Sequence, residues 1–85
     1  MKTQENKKIF KMVAKIIGTN PKKISLQSNA KNIEEWDSLA ILNIISFLEK
    51  KYKNKIKKFD VKDADSIKNI IKLFKKYKVK IWVLR

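Results

Sequence analysis

Residues 18–36 constrain this chain more than any other stretch, because they lack the period that both neighbouring stretches have. On the N-terminal side, Ile9, Phe10, Met12, Val13, Ile16 and Ile17 recur at helical spacing, with Lys7, Lys8, Lys11 and Lys15 between them. This predicts a helix over residues 4–17, closed by Gly18 in a left-handed position and barred from continuing by Pro21. On the C-terminal side a second helix is predicted over 37–52. In a chain of 85 residues, neither flank is long enough to fold alone, so the aperiodic stretch is expected to lie on the helices rather than link two domains. Thr19-Asn20-Pro21 and Gln27-Ser28-Asn29 are its turn-formers, and Ile24, Leu26, Ala30, Ile33 and Trp36 are its expected pins.

The second helix has an uneven wheel. At about 100° per residue, Phe47, Ala40, Ile44, Leu48, Ile41, Tyr52 and Ile45 share one arc. Asn43, Lys50, Ser46 and Glu49 share the opposite arc with Ser38. Leu39 and Leu42 fall on the Ser38 side, where a helix burying only its core face has no use for them. Asp37 is placed to accept from backbone N–H groups of the first turn.

Beyond it, Ile56 and Phe59 are expected to point inward, and 60–64 could form one short helical turn. Asp65-Ser66 caps a last helix, in which Ile67, Ile70, Ile71, Phe74 and Tyr77 keep helical spacing. The tail Val79–Arg85 is apolar and β-branched; it could extend the helix, lie extended on the surface or pair with another chain. The expected core is Ile9, Val13, Ile17, Ile44, Leu48, Tyr52, Ile67, Ile71 and Phe74. The fold class is therefore all-α, a small helical bundle.

Composition narrows the chemistry. Cysteine and histidine are both absent, which removes disulfides, thiol catalysis, Cys/His zinc sites and imidazole-dependent triads. One glycine cannot build a phosphate-cradling loop, and no DxDxDG calcium loop occurs. The chain is thus expected not to be an enzyme. No apolar run is long enough to span a membrane, and the opening residues lack a signal-peptide core, so a cytoplasmic location is expected. The net charge is +14. It suits a phosphate-bearing partner or an anionic membrane surface. However, all the basic residues except Arg85 are lysine, and Ile and Asn are also abundant, as an AT-rich codon bias would give. The scarcity of Arg makes nucleic acid an unlikely partner and leaves a small basic nucleic-acid-binding domain as the alternative reading.

Ser38 admits three readings. It is a helix-start serine chosen for its local preference. It is a nucleophile, although no imidazole and no G-x-S-x-G elbow accompany it. Or it is a modification site, where a phosphodiester gains from the helix dipole and free amides, with Leu39 and Leu42 as an apolar grip for an enzyme.

The segment Glu35-Trp36-Asp37-Ser38-Leu39-Ala40 follows a long loop and opens an amphipathic helix ending Phe47-Leu48-Glu49-Lys50-Lys51-Tyr52. In this it resembles the acyl carrier protein family, most of all the stand-alone carriers that read Trp-Asp-Ser-Leu. The resemblance covers about residues 4–78 and includes the capped last helix. It implies a four-helix bundle, with three longer helices and one short third helix, in a carrier domain over 1–78 followed by the 79–85 tail. It implies that Ser38 carries 4′-phosphopantetheine, transferred from coenzyme A by a phosphopantetheinyl transferase, with acyl or aminoacyl groups riding as thioesters. The family pattern gives Asp37 the role of positioning the serine and Leu39 that of the apolar contact beside the arm. Leu42, Asn43, Ser46 and Lys50 complete the expected docking face. Carriers of fatty-acid synthesis are acidic, whereas here Glu49 is the only acid on that helix after Asp37. The expected acyl-loading and acyl-transfer partners therefore have neutral or acidic docking surfaces and belong to a specialised pathway. A degenerate carrier that stays unmodified and serves only for docking is a further alternative.

Overall fold

A computed structural model of the chain describes residues 2–52, 56 and 60–77. Three α-helices form: α1 (Lys2–Ile17), α2 (Ser38–Tyr52) and α3 (Ile67–Lys76). Short 3-10 turns at Pro21–Lys23 and Val61–Ala64 interrupt the connections. The expectations for Phe59 and for the tail after Tyr77 fall outside the described residues.

Each helix follows from its apolar stripe. α1 buries Ile9, Met12 and Val13, together with Ala14. It stops at Gly18, whose φ of 80° is one that glycine adopts without a Cβ penalty. Both Gly18 and Thr19 donate their backbone N–H to the Ala14 carbonyl at 2.9 Å, which satisfies the exposed helix end. Asn20 then accepts the Lys22 N–H at 2.9 Å, and Pro21 opens the first 3-10 turn, where a missing N–H costs nothing. Sequence period could not predict that turn, because it is only three residues long.

α2 buries Ala40, Ile41, Ile44, Leu48 and Tyr52. α3 buries Ile67, Ile70, Leu73 and Phe74, and the Ser66 hydroxyl caps it by accepting the Asn69 N–H at 3.1 Å. Tyr52 and Phe74 meet edge to face, with ring centroids 5.4 Å apart, tying the end of α2 to α3. All these residues join one cluster with Ile24, Trp36, Ile56 and Ala64. Ile17 and Ile71, expected in the core, are only half-buried and pack on its margin. Each lies toward the edge of its helix's buried arc, so neighbouring turns cover it on one side only.

The long loop is folded back as expected, but by two devices of different kind. Ile24 and Trp36 are buried, and Ala30 and Ile33 pack partly against the core. Leu26 is a correction: it is 41% exposed and pins nothing. Its place is taken by polar pairing. The Ser28 carbonyl accepts the Ile67 N–H at 3.0 Å, and the Asp65 carbonyl accepts the Ala30 N–H at 2.9 Å. Asn29 and Ser66 thus face each other in a single antiparallel bridge at the start of α3.

Candidate functional site

The route to Ser38 begins one residue before its cap. Trp36 is 1% exposed, and its indole Nε1–H donates to the Ala64 carbonyl at 3.0 Å across the core. A buried indole without such an acceptor would carry an unpaired donor, so this bond fixes the ring's orientation as well as its depth. It also draws the Val61–Ala64 turn against the start of α2. The Trp36 N–H donates to the Ile33 carbonyl at 3.0 Å, closing the last bend of the loop.

Glu35 holds the other side. Its Oε2 accepts the Thr19 hydroxyl at 3.2 Å and the Lys23 ammonium at 3.4 Å, joining the loop's end to the residues just after α1. Its carboxyl lies below its ordinary value of 4.5, because the hydrogen bond from its own backbone N–H outweighs the opposing desolvation, with the Lys23 charge and the Lys23 and Thr19 hydrogen bonds adding to the lowering.

Chain direction changes at Asp37. Its carbonyl accepts the Ile41 N–H at 3.0 Å, and its Oδ1 accepts the Ala40 N–H at 2.9 Å. This is the N-cap that the sequence pattern predicts, with the carboxylate on the third helical amide. Ser38 is consequently the first residue of α2 and is exposed. The neighbouring first-turn amides belong to the set that an α-helix leaves without internal acceptors. Leu39 and Leu42 are 67% and 54% exposed, the expected pair of apolar side chains beside the hydroxyl.

Asn43, Ser46 and Lys50 are exposed on the same helix, so with Leu39 and Leu42 they lie on one outer face. They do not all gather at Ser38: Lys50 stands about 18 Å farther along the axis. The carboxylate nearest in sequence, Asp37, is engaged with a backbone amide rather than aimed at the hydroxyl. Among the described residues, no group of three or more acidic side chains is placed to hold a metal ion.

Charge near the site is less positive than α2 alone suggests. Glu34 and Asp37 are exposed near Ser38, and Asp60, Asp63 and Asp65 lie in or beside the Val61–Ala64 turn, which packs against α2. Sequence reading counted only the acids of α2 itself. The one hint of the longer-range grouping was the need of a buried tryptophan for a carbonyl partner. Comparison of the chain with family models, with curated proteins and with solved structures yields no match.

Proposed function

We propose that the protein is a carrier in which Ser38 is the attachment point for 4′-phosphopantetheine, and that it catalyses no reaction itself. The observation that carries this reading is an exposed hydroxyl on the first turn of α2, set between a capped Asp37 and two exposed leucines, with Trp36 anchored one residue before the cap. A serine that merely began a helix would not require that anchorage.

The residues present suit the group. A phosphodiester on Ser38 would lie at the positive end of a helix of 15 residues, near first-turn amides that lack internal acceptors. Asp37 keeps the first turn in register, which holds the Ser38 backbone in place for an incoming transferase. Leu39 and Leu42 offer the apolar contact beside the arm. The arm supplies the thiol that this cysteine-free chain lacks, on which acyl or aminoacyl groups would ride as thioesters.

On this reading the Val61–Ala64 3-10 turn would stand where the four-helix carrier plan has its short third helix. Partners would be a phosphopantetheinyl transferase, followed by acyl-loading and acyl-transfer enzymes. Their docking surfaces would be apolar opposite Leu39 and Leu42, and neutral or acidic opposite Asn43, Ser46 and Lys50.

Incubation with coenzyme A and a broad-specificity phosphopantetheinyl transferase, followed by intact-mass analysis, tests this. One phosphopantetheine should be added to the protein and none to Ser38→Ala. A folded protein that stays unmodified beside an active control carrier would instead mark a degenerate, docking-only chain.

A further inference from the structure

Charge is sorted in this molecule. α3 carries no acid, and α1 carries none after Glu5. On α1, Lys7, Lys8, Lys11 and Lys15 are all exposed. On α3, so are Lys68, Lys72, Lys75 and Lys76. Each set falls within about 100° of arc on its helix, hence on a single outer face. The two helices pack against each other, and on each the lysines lie opposite the buried stripe. Six of the eight acids lie instead at 34–37 and 60–65, in the loop and turn around the start of α2. Codon bias explains an excess of lysine. It does not explain why acids are absent from α3 and from α1 after Glu5.

We propose that the lysine faces of α1 and α3 hold the protein against a membrane surface rich in anionic phospholipid, by charge and without insertion. Among the described residues the one ion pair is Lys23–Glu35, so none of these eight lysines is neutralised by a described acid. Among the described residues the large apolar side chains that are exposed are Leu26, Leu39, Leu42 and Val61, none of them on α1 or α3. A surface of this kind adsorbs through ammonium–phosphate attraction alone.

One feature favours a phospholipid over a nucleic acid. Lys68 and Lys72 border an open hollow of about 350 Å³ shared with Gln27, Asn69 and the exposed Leu26. Two ammonium groups, the Gln27 amide and one leucine match a phosphate headgroup next to its glycerol, while the Asn69 amide is held in place by donating to the Lys62 carbonyl and to Asp65 Oδ1, each at 2.9 Å. Single-stranded nucleic acid would call for exposed rings on which bases stack. The exposed large apolar residues among those described include no aromatic, and the described residues include no arginine. The exposed carboxylates of Glu34 and Asp37 beside Ser38 are repelled by the same anionic surface, which turns Ser38 toward solution.

Sedimentation with lipid vesicles tests the proposal on the full chain. Binding should be strong on vesicles with about a third phosphatidylglycerol, absent on pure phosphatidylcholine, and reversed by salt within the screening range. Each lysine close to such a surface contributes about fivefold. Changing Lys68, Lys72, Lys75 and Lys76 together to Gln should therefore weaken binding about 600-fold. The same four-charge change at Lys22, Lys31, Lys51 and Lys62, also exposed, should cost less than about tenfold, and Ser38→Ala nothing. Because the chain has no cysteine, an environment-sensitive dye can be placed singly. It should shift on vesicle binding from Leu26→Cys and not from Ser38→Cys. Equal losses from the two charge-matched variants would overturn the proposal. So would equal binding to neutral vesicles, or tighter binding to a nucleic acid than to anionic vesicles at the same salt.

Discussion

The middle and the end of the long loop are fastened in different ways. At its middle, Ser28, Asn29 and Ala30 meet Asp65, Ser66 and Ile67 through backbone hydrogen bonds. Asn29 and Asn32 reinforce that knot by exchanging amide bonds: each side-chain Oδ1 accepts the other's backbone N–H, at 2.9 and 3.2 Å. At its end, one aromatic side chain goes to the centre of the core and hydrogen-bonds there. Polar pairing sets register but contributes little net free energy, because the same groups bond to water when the chain unfolds. A buried indole contributes far more through the area it removes from water. The heavier anchor stands two residues before Ser38, and the lighter one holds the start of α3.

Substitutions can break that contrast. The largest effect is expected from Trp36→Ala, at about 3–5 kcal/mol. That is most of the stability such a small domain has, so urea titration should find the variant largely unfolded. Trp36→Phe keeps the ring but leaves the Ala64 carbonyl without its donor, and should lose about 1–3 kcal/mol.

Ser28→Ala removes the hydroxyl that accepts the Ser25 N–H at 2.8 Å and should lose about 1 kcal/mol. Its distinguishing sign is local. Amide exchange should quicken at Ala30 and Ile67 while the Trp36 indole stays protected. Were the indole to exchange equally fast, the two fastenings would be one cooperative unit.

Asp37→Ala should also cost about 1 kcal/mol, whereas Asp37→Asn, which can still cap, should cost a few tenths. Thermal unfolding of the pair separates the cap from the charge.

The Glu35 contact is the mildest and is read through pH. Its carboxyl is lowered on folding, so its stabilisation is fully present above its ordinary value of 4.5 and is lost as pH falls through the lowered folded value. Glu35→Gln should flatten that acid limb of the stability profile and leave neutral pH nearly unchanged. An unaltered acid limb would show that Thr19 and Lys23 do not sense the carboxylate.

Much of this arrangement is legible in the sequence. Local rules sufficed for the three helices, for Gly18 as a stop and for Asp37 and Ser66 as caps, because each depends on residues within a turn or so. They also placed Ile9, Val13, Ile44, Leu48, Tyr52, Ile67 and Phe74 inside. Periodicity could not reach the contacts between distant segments. It made Leu26 a pin because Leu is apolar, although the Asn29–Ser66 bridge holds that part of the loop instead. It gave Trp36 a buried place but not the Ala64 carbonyl, 28 residues away, that fixes it. For the same reason the acids of the Val61–Ala64 turn were not counted with Ser38.

The central claim concerns one oxygen atom, and locating the modification tests it most directly. After transferase treatment, cleavage at lysine frees Asn32–Lys50, which holds Ser38 and also Ser46, exposed farther along α2. Fragment-ion mass spectrometry of that peptide should place a single phosphopantetheine on Ser38 and none on Ser46. An unmodified peptide from folded protein, or a group found on Ser46, would contradict the account.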